Sequence, residues 1–133
     1  KMNYKFNVLP KGIIDLYETT NDTLNYQFKT LTIEDYGSII LEVKKETEHP
    51  VIIQLLSNKK IVKTRYISTS QKIEFNLLEP KEYTVRAIID KNNNHFWDTG
   101  NFLSRKQPEQ VIYFETVFKL RANWIQNEEF VIK

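Results

Sequence analysis

The 133-residue chain contains no cysteine. That absence removes disulfides, thiolate metal sites and cysteine nucleophiles together. Only 3 glycines are present, and Gly12, Gly37 and Gly100 lie far apart. No glycine-rich phosphate loop or dinucleotide-binding fingerprint can be assembled from them. Two histidines, His49 and His95, are too few for a histidine-rich metal cluster. No stretch approaches the ~18 consecutive apolar residues of a transmembrane helix. The opening Lys1-Met2-Asn3-Tyr4-Lys5-Phe6 lacks the apolar core of a signal peptide. Charge of either sign is not in excess: 19 basic and 17 acidic residues leave +2. The two signs alternate along the chain, with no basic stripe, so nucleic acid is not an expected partner. Lysine far outnumbers arginine, which suits solvated surface better than bidentate phosphate recognition.

What remains is a chain rich in core material, 41% hydrophobic and 13% aromatic. Its dominant period is two, the spacing of half-buried strands. Tyr4, Phe6 and Val8 alternate with polar residues, and so do Leu24, Tyr26 and Phe28. Two strands cannot make a stable core alone. Because the sequence opens inside a strand, it reads as a fragment or a processed form. A second unit begins near Tyr36-Gly37. Strands are expected at 38–43, 51–56, 61–67, 73–77, 83–89, 111–114 and 117–122, with a further edge strand in the tail 128–133. Val51–Leu56 reads as central, and Ile73, Phe75 and Leu77 as one alternating face. Many short strands spaced by turn residues predict an all-β, Greek-key sandwich. The expected division is 1–31 and 32–133.

The richest local signal is Asp90-Lys91-Asn92-Asn93-Asn94-His95-Phe96-Trp97-Asp98-Thr99-Gly100. Asp90, Asn92, Asn94 and Asp98 carry side-chain oxygens at the spacing of the first half of a calcium loop. With the Phe96 carbonyl, they are candidate ligands for Ca2+, which takes six to eight oxygens. His95 stands where such loops have glycine, and Asn101 where they have a bidentate glutamate. The competing reading is a self-bonded turn, because Asn and Asp bond their own backbone and tolerate left-handed conformations. Trp97 inside this loop is a candidate sugar-stacking or partner-anchoring residue. The competing reading is that it folds back and caps the end of the sandwich core, as a tryptophan in such a loop more often does.

Catalysis is not expected. There is no G-x-S-x-G, and His95 has no recognisable nucleophile. His49 precedes Pro50 and reads as a turn residue. Asp90 and Asp98 as a glycosidase pair would lack a cleft.

Two stretches carry a family resemblance. Leu9-Pro10-Lys11-Gly12-Ile13-Ile14-Asp15-Leu16 and Leu24-Asn25-Tyr26-Gln27-Phe28-Lys29-Thr30 resemble the last two strands of a bacterial Ig-like domain of the SbsA type. Residues 83–102, then Gln107-Pro108-Glu109 and Arg121-Ala122-Asn123-Trp124, are similar to the C-terminal region of Ig-like-domain lipoproteins of Bacteroidota. That region often reads Y-x-x-R-x-x-x-D-x-N-x-N-G-x-W-D-x-G-N, then Q-P-E, then R-A-N-W. Leu78-Glu79-Pro80-Lys81-Glu82-Tyr83 resembles the L-x-P-G-x-Y step of prealbumin-like and CNA-B-like sandwiches, with Lys81 in the glycine's place. The resemblance implies a prealbumin-like sandwich preceded by the end of an Ig-like domain. It also implies export to the bacterial outer membrane or cell surface, with membrane attachment only through a lipid anchor outside this chain. The implied partner is another envelope protein or the protein's own preceding domain. The implied function is non-catalytic docking or spacing, with calcium-assisted glycan binding as the alternative. Asp22-Thr23-Leu24 also resembles the D-[ST]-[apolar] O-glycosylation motif of that group, which makes Thr23 a candidate glycosylation site. Asn21-Asp22-Thr23 is an N-x-T sequon as well, relevant only in a eukaryotic secretory context.

Overall fold

Alternating side chains pull the first segment into an antiparallel ribbon of β1 (Asn3–Val8) and β2 (Leu24–Lys29). The computed structural model describes residues 2–14, 16–17 and 22–133. Asp15 of the first resemblance and Asn21 of the sequon therefore lie outside the described residues. The ribbon is in register from Asn3↔Lys29 to Val8↔Leu24. Its ladder continues through the Thr30 N–H, which donates to Met2 O at 2.9 Å. After β1 the chain turns at Leu9-Pro10-Lys11-Gly12, closed by Gly12 N–H to Leu9 O at 2.9 Å. Pro10 presets the first turn dihedral, and Lys11 takes the left-handed conformation (φ 65) that glycine usually fills. By internal contacts the chain falls into two units, Lys1–Ile33 and Glu34–Lys133.

The second unit contains eight strands: β3 (Gly37–Lys45), β4 (Val51–Ser57), β5 (Lys60–Ile67), β6 (Gln71–Leu78), β7 (Glu82–Ile89), β8 (Val111–Tyr113), β9 (Phe118–Lys119) and β10 (Ile125–Ile132). No α-helix occurs among the described residues, so the fold is all-β. One sheet runs β10-β3-β6 and the other β5-β4-β7-β8, with β9 also on β7. The far edge of β7 is thus shared: β8 pairs Arg86–Ile88, and β9 pairs Glu82 and Tyr83. The sheets pack face to face as a sandwich. Ile39, Leu41, Val43, Ile73, Phe75 and Phe130 come from the first sheet, and Val51, Ile53, Leu55, Ile67, Val85 and Ala87 from the second. β4 is central, as its apolar run implies, with partners on both sides.

Two details differ from simple alternation. Leu77 does not share the buried face with Ile73 and Phe75; it is 58% exposed, and Leu78 is buried instead. Between the pairs Ile39↔Phe75 and Gly37↔Leu78, β6 holds one residue more than β3. That bulge places Leu77 in the left-handed region (φ 56) and flips the inward side by one residue. The tail strand begins at Ile125, earlier than expected, and runs parallel to β3. Its buried residues are Phe130 and Ile132.

The second sheet is also apolar on its outer face. Ile52 and Ile88 are cross-strand partners there, and both are buried. Tyr66 pairs with Ile52 on that face. The His95 ring stacks on Tyr66, centroids 3.9 Å apart and planes 13° off parallel. The loop after β7 therefore folds back against the outside of this sheet.

Candidate functional site

The loop leaves and rejoins the sheet through backbone bonds. Asp90 N–H donates to Pro50 O at 3.0 Å, which extends the β7 ladder by one residue. Ile89 N–H donates to Gln110 O at 3.0 Å, so the two ends of the loop are held side by side. Between them, Asn and Asp side chains do the local folding. The Asp90 carboxylate is completely buried and accepts from two backbone N–H groups: Asn94 to Oδ1 at 3.2 Å and His95 to Oδ2 at 2.9 Å. Asn92 Oδ1 accepts from Asn94 N–H at 3.2 Å, and Asn94 Oδ1 from Phe96 N–H at 2.8 Å. These are successive Asx turns. Asn93 (φ 59) and His95 (φ 68) take the left-handed conformations that the curl requires. Asparagine tolerates this readily, and His95 is held there by the stack on Tyr66.

Asp98 closes the curl. Its Oδ2 accepts from Asn94 Nδ2 at 2.8 Å and from Asn92 Nδ2. Thus Asp90, Asn92, Asn94 and Asp98, spaced along the sequence like cation ligands, do come together. Phe96 enters through its N–H, while its ring is exposed. The amide nitrogens of Asn92 and Asn94, rather than their oxygens, face Asp98. A cation beside Asp98 would need both amides to turn over and give up their Asx turns. Among the described residues, no three His, Asp or Glu side chains gather where they would hold one ion.

One member of the site escaped the local reading. Glu109 is buried, and its Oε1 accepts from Lys91 N–H at 2.8 Å while Oε2 accepts from Asp98 N–H at 3.2 Å. It ties the start of the loop to its middle from far along the chain. Its signal in the sequence was its place in Gln107-Pro108-Glu109. Glu109 N–H donates to Asp98 O at 3.1 Å, and its own carbonyl accepts from Trp97 Nε1–H at 3.2 Å. Trp97 is accordingly neither free nor sealed: 48% of it stays exposed while its polar edge is fixed. Tyr66, also unforeseen, donates its hydroxyl to Asn93 Oδ1. Removal from water, and secondarily the charge of Asp90, push that hydroxyl above the ordinary tyrosine range. Trp124 lies half exposed, with the Arg121 guanidinium 4.9 Å from its ring centroid. Thr23 is exposed just before β2.

The class defined by fold and site is an all-β sandwich with one long, internally hydrogen-bonded polar loop between β7 and β8. No family model, curated protein or solved structure matches the chain.

Proposed function

We propose that this chain is a non-catalytic interaction module of a bacterial cell-envelope lipoprotein, of the Ig-like and prealbumin-like sandwich type, which docks or spaces a partner. The observation that carries this reading is the apolar face of the β1–β2 ribbon. Tyr4↔Phe28, Phe6↔Tyr26 and Val8↔Leu24 stand directly opposite one another, all on one side. The first two pairs are exposed, and Tyr4 and Phe28 stack with centroids 5.3 Å apart. Contiguous exposed apolar surface on a ribbon marks an interaction site, because water leaves it at a gain of about 25 cal/mol per Å2. Envelope location is supported by the resemblance at 83–102, 107–109 and 121–124. The partner is another envelope protein or the domain preceding this one.

The test is site-specific photo-crosslinking in the full-length protein, in its own cells. A crosslinker replacing Phe28 is expected to give one discrete adduct, found in the membrane fraction. The same group replacing Lys72, exposed on β6, is expected to give none. An adduct mapped by mass spectrometry to the preceding domain would identify that domain as the partner. No adduct at Phe28, or recovery outside the envelope, would overturn the proposal.

A second reading, glycan binding, draws on the half-exposed Trp97 ring. The same loop also forms a shallow polar cleft lined by Lys91, Asn92, Asp98, Thr99, Asn101 and Gln107. Calcium assistance is tested separately by thermal unfolding in millimolar calcium against chelator. A metal bound only to the folded state raises the midpoint by mass action. With the Asn92 and Asn94 amides turned as they are, the expected result is an unchanged midpoint. A rise that disappears in Asp98→Asn would establish the ion site and move glycan binding ahead of docking.

A further inference from the structure

The second half of the loop builds a hydrogen-bonded tip whose apolar side chains the readings above do not use. Asn101 and Lys106 face each other as an isolated antiparallel bridge, with N–H to O distances of 2.8 and 3.0 Å in the two directions. The four residues between them are closed by Arg105 N–H to Phe102 O at 3.2 Å. Asn101 Oδ1 caps the same turn, accepting from Leu103 N–H at 2.9 Å and Ser104 N–H at 3.1 Å. Arg105 takes the left-handed conformation, φ 52, that lets the chain double back. Gly100 sits where a Cβ would lie 2.5 Å from Lys106 O, so only glycine lets the returning strand come this close.

All this ordering presents two neighbouring apolar side chains to water. Phe102 is 96% exposed and Leu103 93%. Hydrophobic residues scattered singly on a surface need no explanation, but a hydrogen-bonded turn that holds two of them outward does. The collar beneath carries three basic side chains, Arg105, Lys106 and Lys91, against Asp98 and the buried Glu109 in the same cleft. From Thr99 to Pro108 there is no acidic residue. The ion pairs among the described residues lie elsewhere, as in Lys44–Glu129 and Lys119–Glu82.

We infer that the Phe102-Leu103 tip inserts into the interface of an anionic phospholipid bilayer, with Arg105 and Lys106 on the headgroup phosphates. Shape and charge both select this occupant. A convex tip needs a matching concavity in a protein partner, whereas a fluid bilayer opens around it. An aromatic and a leucine above a basic collar is the pattern of interfacial anchoring. Basic side chains near the surface add attraction to anionic lipid. The contact would be direct, in addition to any lipid anchor. It uses none of the residues of the β1–β2 ribbon, so neither proposal fails with the other. Two side chains bury less than one fatty-acyl chain, whose partition constant is about 10⁴ M⁻¹, so the tip works as a second, weak contact.

The experiment is flotation of the purified chain with vesicles of phosphatidylcholine alone or with phosphatidylglycerol added. Binding is expected to the mixed vesicles and to weaken with salt. Phe102→Ser and Leu103→Ser are each expected to lower the partition constant roughly tenfold or more. Arg105→Gln with Lys106→Gln is expected to remove the preference for phosphatidylglycerol, at roughly fivefold per charge. The melting midpoint, recorded alongside, should not move in the tip variants because both side chains are already in water. Phe102→Trp gives a second readout: its added indole emission should shift to the blue on mixed vesicles. The inference is overturned if the wild-type chain stays unbound at millimolar lipid, or if serine at both tip positions leaves binding intact.

Discussion

Phe75→Ala is expected to cost about 3–5 kcal/mol of folding stability, the range for deleting a buried phenylalanine ring. Phe75 is fully buried between the sheets, beside Ile39 of β3. Its ring also carries the Arg65 guanidinium, 5.6 Å from the centroid, at the margin where β5 ends the second sheet. Removing the ring leaves a void that two hydrogen-bonded sheets cannot close, because each backbone is held by its ladder. The aliphatic stem of Arg65 loses its platform at the same time. Domains of this size are stable by about 5–15 kcal/mol, so the variant should retain only part of that. Urea unfolding should show a lower midpoint with an unchanged slope. A loss below about 1 kcal/mol would mean that the sheets do not close on Phe75, since exposed sites rarely exceed about 0.5 kcal/mol.

The second large effect is expected at Asp90. Asp90→Ala should cost about 2–4 kcal/mol, because two backbone N–H groups lose a buried, charged acceptor at once. Those donors belong to Asn94 and His95, at the tightest part of the curl. Without the carboxylate, the left-handed conformations of Asn93 and His95 lose their main restraint. The loop then opens locally before the sandwich unfolds. Amide exchange should show this directly, with protection lost at Asn94 and His95 and kept in β4 and β7. Asp90→Asn should fall between the two states, since its amide keeps one acceptor and turns a donor toward a backbone N–H. Full protection in Asp90→Ala would show that Glu109 and Asp98 hold the loop without it.

Much of this was legible along the chain. Tyr4-Phe6-Val8 and Leu24-Tyr26-Phe28 alternate as strands, and they do form β1 and β2. Val51–Leu56 reads as central because it is apolar at nearly every position, and β4 is paired on both edges. The clustering of Asp90, Asn92, Asn94 and Asp98 was also visible, since Asx turns act over two to five residues. Leu77 was misread because alternation assumes an unbroken pleat. A bulge is decided by the partner strand, here where Gly37 meets Leu78. Glu109 was out of reach for a related reason. Its carboxylate serves Lys91 and Asp98, and nothing local to Gln107-Pro108-Glu109 names those donors.

Local chemistry alone therefore settles the all-β class, the place of most strands and the gathering of Asp90, Asn92, Asn94 and Asp98 in one loop. Each depends on backbone preference and on side chains a few residues apart. Three further matters are decided only by the assembled fold. They are the parallel placement of β10 on β3, the face of β6 that turns inward, and which apolar side chains stay in water. Phe6, Phe75 and Phe102 are the same side chain on paper. One stands on an open ribbon, one is sealed between sheets, and one is held outward at a capped turn. Burial is a property of the neighbours that long-range pairing brings in, and residue identity does not specify those neighbours.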